Sequence, residues 1–217
     1  EIADDTLIFL TSDNGPLNEF SKQGLRGRKS HLWEGGHRVP GLFRWPGKIA
    51  AESVCDVPIC GVDFLPTVCD IVGIDPPKDR VLDGTSLWPL LSGAAQSVTR
   101  QRPLYWFFYR LNPAIAMREG DWLLIAQTVD WKRPKAHPLL REDLPYIKRS
   151  EPIEFELYNL RDDLSQRIDR ATEESNRLND MIPRLKAMHR EVLDEAPVWE
   201  IPESYKQSSA RKIWTSP

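Results

Sequence analysis

A chain of 217 residues holds one large domain or two small ones. Its hydrophobic share of 41% is enough for a real core, which excludes wholesale disorder. A formal charge of −3 argues against a protein built to bind nucleic acid, and no apolar run is long enough to span a bilayer.

The chain opens Glu1-Ile2-Ala3-Asp4-Asp5, with neither a methionine nor a charged-then-apolar leader, immediately before a strand-like run. The expectation is that its beginning has been lost. Cys55, Cys60 and Cys69 are few and odd in number, so they form no disulfide framework. Buried free thiols are expected at Cys60 and Cys69. None of His31, His37, His137 and His189 stands at metal-ligand spacing from them.

Leu7-Ile8-Phe9-Leu10 is a continuous apolar run, the pattern of a strand covered on both faces in a parallel sheet. Open α/β sheets bind ligands beyond the carboxyl ends of their strands, and Ser12-Asp13-Asn14-Gly15-Pro16 falls there. Two readings stand. Asp-Asn-Gly-Pro is good turn chemistry, and the turn is favoured on this segment alone. The alternative is a pair of hard-oxygen ligands, Asp13 and Asn14, for a metal. Residues 24–36 then hold four glycines with Arg26, Arg28, Lys29 and, when protonated, His31. Glycines admit close backbone approach, and a lysine among them acts as a point charge toward an anion. The P-loop order G-x-x-x-x-G-K-[ST] is absent. Residues 41–47 read as a second short strand ended by a turn.

Packing elements follow. Residues 62–73 have helical apolar spacing, with Asp63 near the start, Pro66 in the first turn and Gly73 as a stop. A short helix is expected over 87–91, ending at Ser92-Gly93. A polar stretch near 94–103 divides an α/β part, 1–98, from an α+β part, 99–217. There, 104–109 is β-prone, 114–118 and 122–127 flank a hairpin turn at Glu119-Gly120-Asp121, and 155–160 is a further strand. Together these predict a small antiparallel sheet.

Residues 132–149 carry six Lys/Arg against Glu142 and Asp143, which suits either the approach of an anionic substrate or a solvated insertion. Residues 172–195 are mostly helical, with Leu178, Met181, Ile182, Leu185, Met188 and Val192 in one stripe. Pro183 predicts a kink there, or a main helix starting near Asp180. The tail from Pro197 is polar, with Trp199 and Trp214 as anchors.

An ordered set of strings resembles the type I, formylglycine-dependent sulfatases of the alkaline phosphatase superfamily. They are Thr11-Ser12-Asp13-Asn14-Gly15, Leu25-Arg26-Gly27-Arg28-Lys29, Trp33-Glu34-Gly35-Gly36-His37-Arg38-Val39-Pro40 and Arg44-Trp45-Pro46-Gly47. Later strings agree: Asp63-Phe64-Leu65-Pro66-Thr67, Asp83-Gly84-Thr85-Ser86-Leu87, Arg118-Glu119-Gly120-Asp121-Trp122 and Glu156-Leu157-Tyr158-Asn159-Leu160. Each string is weak alone; the order is specific. The arylsulfatase and N-acetylgalactosamine-6-sulfatase branch is nearest, and only its C-terminal portion is covered.

The resemblance implies an α/β, alkaline phosphatase-like fold: the C-terminal part of a large mixed-sheet domain, plus a small antiparallel sheet with a packed helix. It implies that Asp13 and Asn14 are ligands of a catalytic Ca²⁺ and that Lys29 contacts the sulfate. Glu34, Arg38 and the glycine pair then hold the loop. Two residues depart from the family pattern: Arg28 stands where a glycine is usual, and His31 where a small residue is common. Either reaches a substrate subsite or points to solvent. The family's nucleophile, made from the Cys or Ser of C/S-x-P-x-R, is missing, because none of Cys55, Cys60, Cys69 or Ser150 begins that motif.

The expected function is therefore a sulfuric ester hydrolase acting on carbohydrate or aryl sulfates once joined to an N-terminal half, and inactive alone. A phosphomonoester or phosphonate hydrolase of the same superfamily, and a non-enzymatic binding fragment, are the alternatives. The expected partners are a sulfated small molecule or glycan and the missing N-terminal part. An open apolar strand edge would also favour a homo-oligomer. By resemblance the protein is exported.

Overall fold

The computed structural model describes residues 2–18, 24–109, 113–128 and 144–196. The basic stretch 132–143, His137 and the tail with Trp199 and Trp214 lie outside the described residues.

β1 (Ile8–Thr11) and β2 (Gly41–Arg44) form an antiparallel pair in the register Ile8↔Arg44 to Thr11↔Gly41. Phe9 stacks on its cross-strand partner Phe43 at 4.4 Å and on Phe64 of α2 (Phe64–Val72) at 5.8 Å. The opposite face leaves Ile8, Leu10 and Leu42 exposed at 48%, 55% and 61%. The expected parallel strand covered on both faces is thus corrected. An apolar run reports burial propensity, not strand direction, and here only the Phe9 side is covered.

α2 stops at Gly73, whose φ of +70° is the left-handed conformation that ends a helix most readily at glycine. Its start is fixed by Asp63, which is fully buried. The two Asp63 oxygens accept from Arg100 Nη1 and Nη2 at 2.7 and 2.6 Å, and from the Cys60 and Thr85 amides at 2.8 and 2.9 Å. Thr67 Oγ1 donates to the Asp63 backbone carbonyl and accepts the Leu87 amide, so α3 (Trp88–Leu91) is tied to the same residue. Cys69 is buried, Cys60 half-buried and Cys55 exposed, all as free thiols.

The second half builds an antiparallel sheet in the order β3-β4-β5-β6 from β3 (Leu104–Phe108), β4 (Ala114–Glu119), β5 (Trp122–Thr128) and β6 (Pro152–Asn159). The β4–β5 turn is Gly120-Asp121, with Gly120 at φ +56°. Between Phe155 and Ile153 the β5–β6 register shifts, and Glu154, at φ +51°, is the extra residue of a bulge.

Side chains alternate across this sheet. Ile115, Met117, Leu124, Ala126 and Leu157 pack against Met181, Leu185 and Met188 of α5 (Ser175–Glu195). Ala114, Ala116, Leu123, Ile125 and Tyr158 pack on the other side, under Leu32 and Trp33 from the first half of the chain. The sheet is therefore the layer between a C-terminal helix and an N-terminal loop.

α5 begins at Ser175, not near Asp180, and Pro183 lies inside it. Proline removes one hydrogen bond, and Met181 before it and Leu185 and Leu193 after it are anchored in the core, so burial outweighs that loss. Lys148, the last residue of α4 (Leu144–Lys148), caps the far end of α5 by donating to the Leu193 and Ala196 carbonyls.

His189 of α5 is buried at 2% exposure. Its Nε2 lies 3.1 Å from the Ser150 carbonyl, which can only accept, so Nε2 carries the proton and Nδ1 accepts the Tyr105 hydroxyl at 2.8 Å. Burial depresses its pKa below 6.5. The folded state then holds fewer protons than the unfolded one, so this stability is present above pH 6.5 and is lost as pH falls toward the folded pKa. Lowering the pH below 6.5 should reduce the unfolding free energy read from urea curves, with a slope of up to about 1.4 kcal/mol per pH unit from this group. His189→Gln should flatten that slope; equal slopes in variant and parent would contradict the assignment.

Candidate active site

Three backbone segments converge at the end of β1. Gly15 N–H donates to the Gly36 carbonyl at 2.8 Å, Lys29 N–H to Pro16 at 2.9 Å and Gly35 N–H to Arg26 at 2.8 Å. The segments 13–16 and 26–31 are thereby stitched onto α1 (Glu34–His37). The approach is too close for side chains. A Cβ on Gly15 would lie 2.1 Å from the Gly35 carbonyl oxygen, and one on Gly36 would lie 2.0 Å from that of His31. Ser30, directly after Lys29, sits at φ +75°, a conformation uncommon for a residue with a side chain and found most at functional sites.

The residues singled out in the sequence fall on this assembly. Asp13 is exposed; Ser12 Oγ approaches its carboxylate at 3.5 Å and donates to the Asn14 carbonyl at 3.1 Å. Asn14 donates its Nδ2 to the Gly15 carbonyl at 2.9 Å, which leaves Oδ1, the atom a hard cation would take, outside that bond. Lys29 and Arg28 are exposed at the loop tip. His31 stacks on Trp33 with 5.3 Å between rings and donates Nδ1–H to the Arg28 carbonyl at 3.2 Å, so its ring is used within the loop.

One carboxylate and one amide fit calcium in kind but supply only part of the six to eight oxygens that ion takes. Among the described residues, no three His, Cys, Asp or Glu side chains converge to hold a metal, and no helix is long and apolar enough to cross a membrane.

Beneath the loop lies a buried carboxylate. Glu34, 1% exposed, accepts Arg38 Nη1 at 3.0 Å and His37 Nε2 at 3.2 Å, with Arg118 of β4 at 3.8 Å. Burial alone would raise its pKa. The hydrogen bonds and charges of His37 and Arg38, with Arg118, outweigh that and hold it below its ordinary value. Burial in turn lowers the pKa of Arg118. His37 also stacks on Trp106 of β3 at 4.6 Å.

A second set of contacts docks the loop on β6. Arg26 lies 4.0 Å over the Trp33 ring, donates to the Tyr158 hydroxyl at 2.6 Å and stands 3.8 Å from Glu156. Glu156 also accepts the Trp33 indole N–H at 3.1 Å and the Tyr158 hydroxyl at 2.8 Å. Gln166, fully buried after β6, accepts the Glu34 amide on its Oε1 at 2.6 Å. Sequence reasoning placed Arg118, Glu156 and Tyr158 in strands without a role at the loop. It passed over Gln166, which stands in no periodic pattern and carries no local signal.

Comparison with known proteins finds sulfatases. Residues 1–74 match the Sulfatase family model, and the fold of the chain is shared with solved sulfatases. Among individual relatives, human steryl-sulfatase is 43% identical over 105 residues, covering 44% of this chain and 18% of its own length. Sus scrofa N-acetylgalactosamine-6-sulfatase is 36% identical over 129 residues, covering 56% of this chain and 24% of its own. The solved PsFucS1 sulfatase from Pseudoalteromonas sp. superimposes with a TM-score of 0.64 at 22% identity, over 92% of this chain and 40% of that one. The chain thus matches less than a quarter of the length of these curated relatives.

The close approach at α1 gives a direct test. Gly36→Ala should lower unfolding stability by about 3 kcal/mol or more, because the clash is with backbone that cannot step aside. Gly61→Ala, where nothing lies within 4 Å of the added methyl, should stay within about 0.5 kcal/mol. Similar losses in the two denaturation curves would refute the convergence.

Proposed function

We propose that these residues supply half of a sulfatase active site, the half that holds a calcium ion with Asp13 and Asn14 and meets the sulfate with Lys29. The observation that carries this is the backbone bond from Lys29 to Pro16, three residues past Asp13, in a loop clamped on Gly35 and Gly36. The match to the Sulfatase family over 1–74 supports the reaction class, sulfuric ester hydrolysis.

Calcium, when bound, polarises a sulfate oxygen as a Lewis acid. Lys29 offers an ammonium that offsets charge gathering on the sulfate group as the ester bond breaks. Arg28 beside it adds positive charge to the same rim, and His31 shapes the rim through its contact with Trp33. The substrate class is a carbohydrate or aryl sulfate. The names of the relatives attach a sterol and an aminosugar sulfate to those proteins, and the common group is the sulfate ester.

The nucleophile and general acid come from outside this chain, so the proposed partner is the remainder of the same protein, and the location is exported. The open side of the small sheet supports this. Among the described residues β1 pairs with β2 alone, leaving one edge unpaired and three large apolar side chains exposed on one face.

In the natural polypeptide that carries these residues, Lys29→Ala and Asp13→Ala should each lower kcat toward an aryl sulfate by about 10²–10³-fold, with the circular dichroism unchanged. The purified 217-residue chain should show no turnover. Rates within threefold of the parent in both variants would refute the half-site; aryl phosphate turned over faster than aryl sulfate would favour the phosphatase reading.

A further inference from the structure

We infer that Gln166 is a positioning residue for Lys29, acting through the first amide of α1. This deepens the sulfate reading and rests on it. Glu34 N–H is one of the orphan donors at a helix start, and the Gln166 side chain satisfies it from 132 residues downstream at 2.6 Å. From there an unbroken series of backbone bonds runs to the loop tip: α1 presents the Gly36 carbonyl to Gly15, and Pro16 presents its carbonyl to Lys29. The Gln166 carbonyl also accepts Arg26 Nη1 at 3.3 Å, and Arg26 lends its own carbonyl to Gly35. Gln166 therefore holds both ends of the segment that carries Lys29.

The residue is held at some cost. Its backbone lies at φ +52°, where side chains are uncommon, and its own amide donates to Asp163 at 3.1 Å. Among the described residues its buried Nε2 meets no hydrogen-bond partner. A stranded donor in a fully buried side chain is unfavourable, so the site uses Gln166 for one atom, the acceptor oxygen. The requirement at this position is an acceptor of glutamine length, and a carboxylate would meet it without stranding a donor.

Gln166→Met keeps the side-chain length and removes the acceptor; Gln166→Glu keeps the acceptor. Both are made in the natural polypeptide, with hydrogen exchange read at Gly15 and Lys29 and turnover read on an aryl sulfate. The expected result for Gln166→Met is at least tenfold faster exchange at both amides, a fall in kcat of at least tenfold and a KM within threefold. Gln166→Glu should restore exchange and kcat together. A merely structural residue would not give that paired rescue. The β4 and β5 amides serve as the folding control. Should Gln166→Met lose them too, Gln166→Asn replaces it, being tolerant of positive φ yet a methylene too short to reach Glu34. Unchanged exchange at Gly15 and Lys29 in the acceptor-lacking variant overturns the positioning. Faster exchange with an unmoved rate overturns the inference through the sulfate reading instead, and Lys29→Ala would then be silent as well.

Discussion

At Gly36, the space a methyl group would need is occupied by the His31 carbonyl; at Gly15 it is occupied by the Gly35 carbonyl. This backbone-on-backbone contact is the constraint on which the rest depends. It allows the end of β1, the cationic loop and α1 to share hydrogen bonds, which no side chain at those glycines would permit. Exposed charges at a loop tip ordinarily sample many positions. Here Asp13 and Lys29 project from segments joined by short bonds to one helical turn, so their relative placement is set before any ligand arrives.

That turn is fixed in its place by electrostatics as well as packing. The Glu34 carboxylate, nearly fully buried, is surrounded by Arg38, His37 and Arg118, and it would be costly to bury without them. Arg118 belongs to β4, so the C-terminal sheet takes part directly in holding the N-terminal loop. Half-buried Trp33, Arg26 and Glu156 form a second polar cluster with the buried Tyr158 on the same sheet, and Leu32 packs in the apolar contact beside it. The sheet's other face is filled by α5. The second half of the chain thus works as a platform, carrying none of the residues assigned to calcium or sulfate.

Much of the secondary structure was legible in the sequence, because its signals are local. Gly73 marks the end of α2, Gly120 marks the β4–β5 turn, and the apolar runs 114–118 and 122–127 on either side of that turn mark a hairpin. The direction of β1 was not legible, since an apolar run is the same in parallel and antiparallel pairs. Pro183 suggested an interruption of α5 that packing overrides. At the loop, the glycines could be read from their type, whereas the Asp13-Asn14 segment alone favoured a turn and its assignment with Lys29 came from the resemblance. The contacts that hold them, Glu34 to Arg118 and to Gln166, join distant parts of the chain and leave no periodic trace.

The central claim is that Asp13, Asn14 and Lys29 form one face of a calcium and sulfate site. A crystal structure of the natural polypeptide grown with calcium and soaked in inorganic sulfate tests it most directly. The account predicts calcium at about 2.3–2.6 Å from the Asp13 carboxylate and the Asn14 Oδ1, with a sulfate oxygen at about 2.7–3.2 Å from Lys29 Nζ. Calcium and sulfate bound elsewhere, with these three side chains left in solvent, would contradict it.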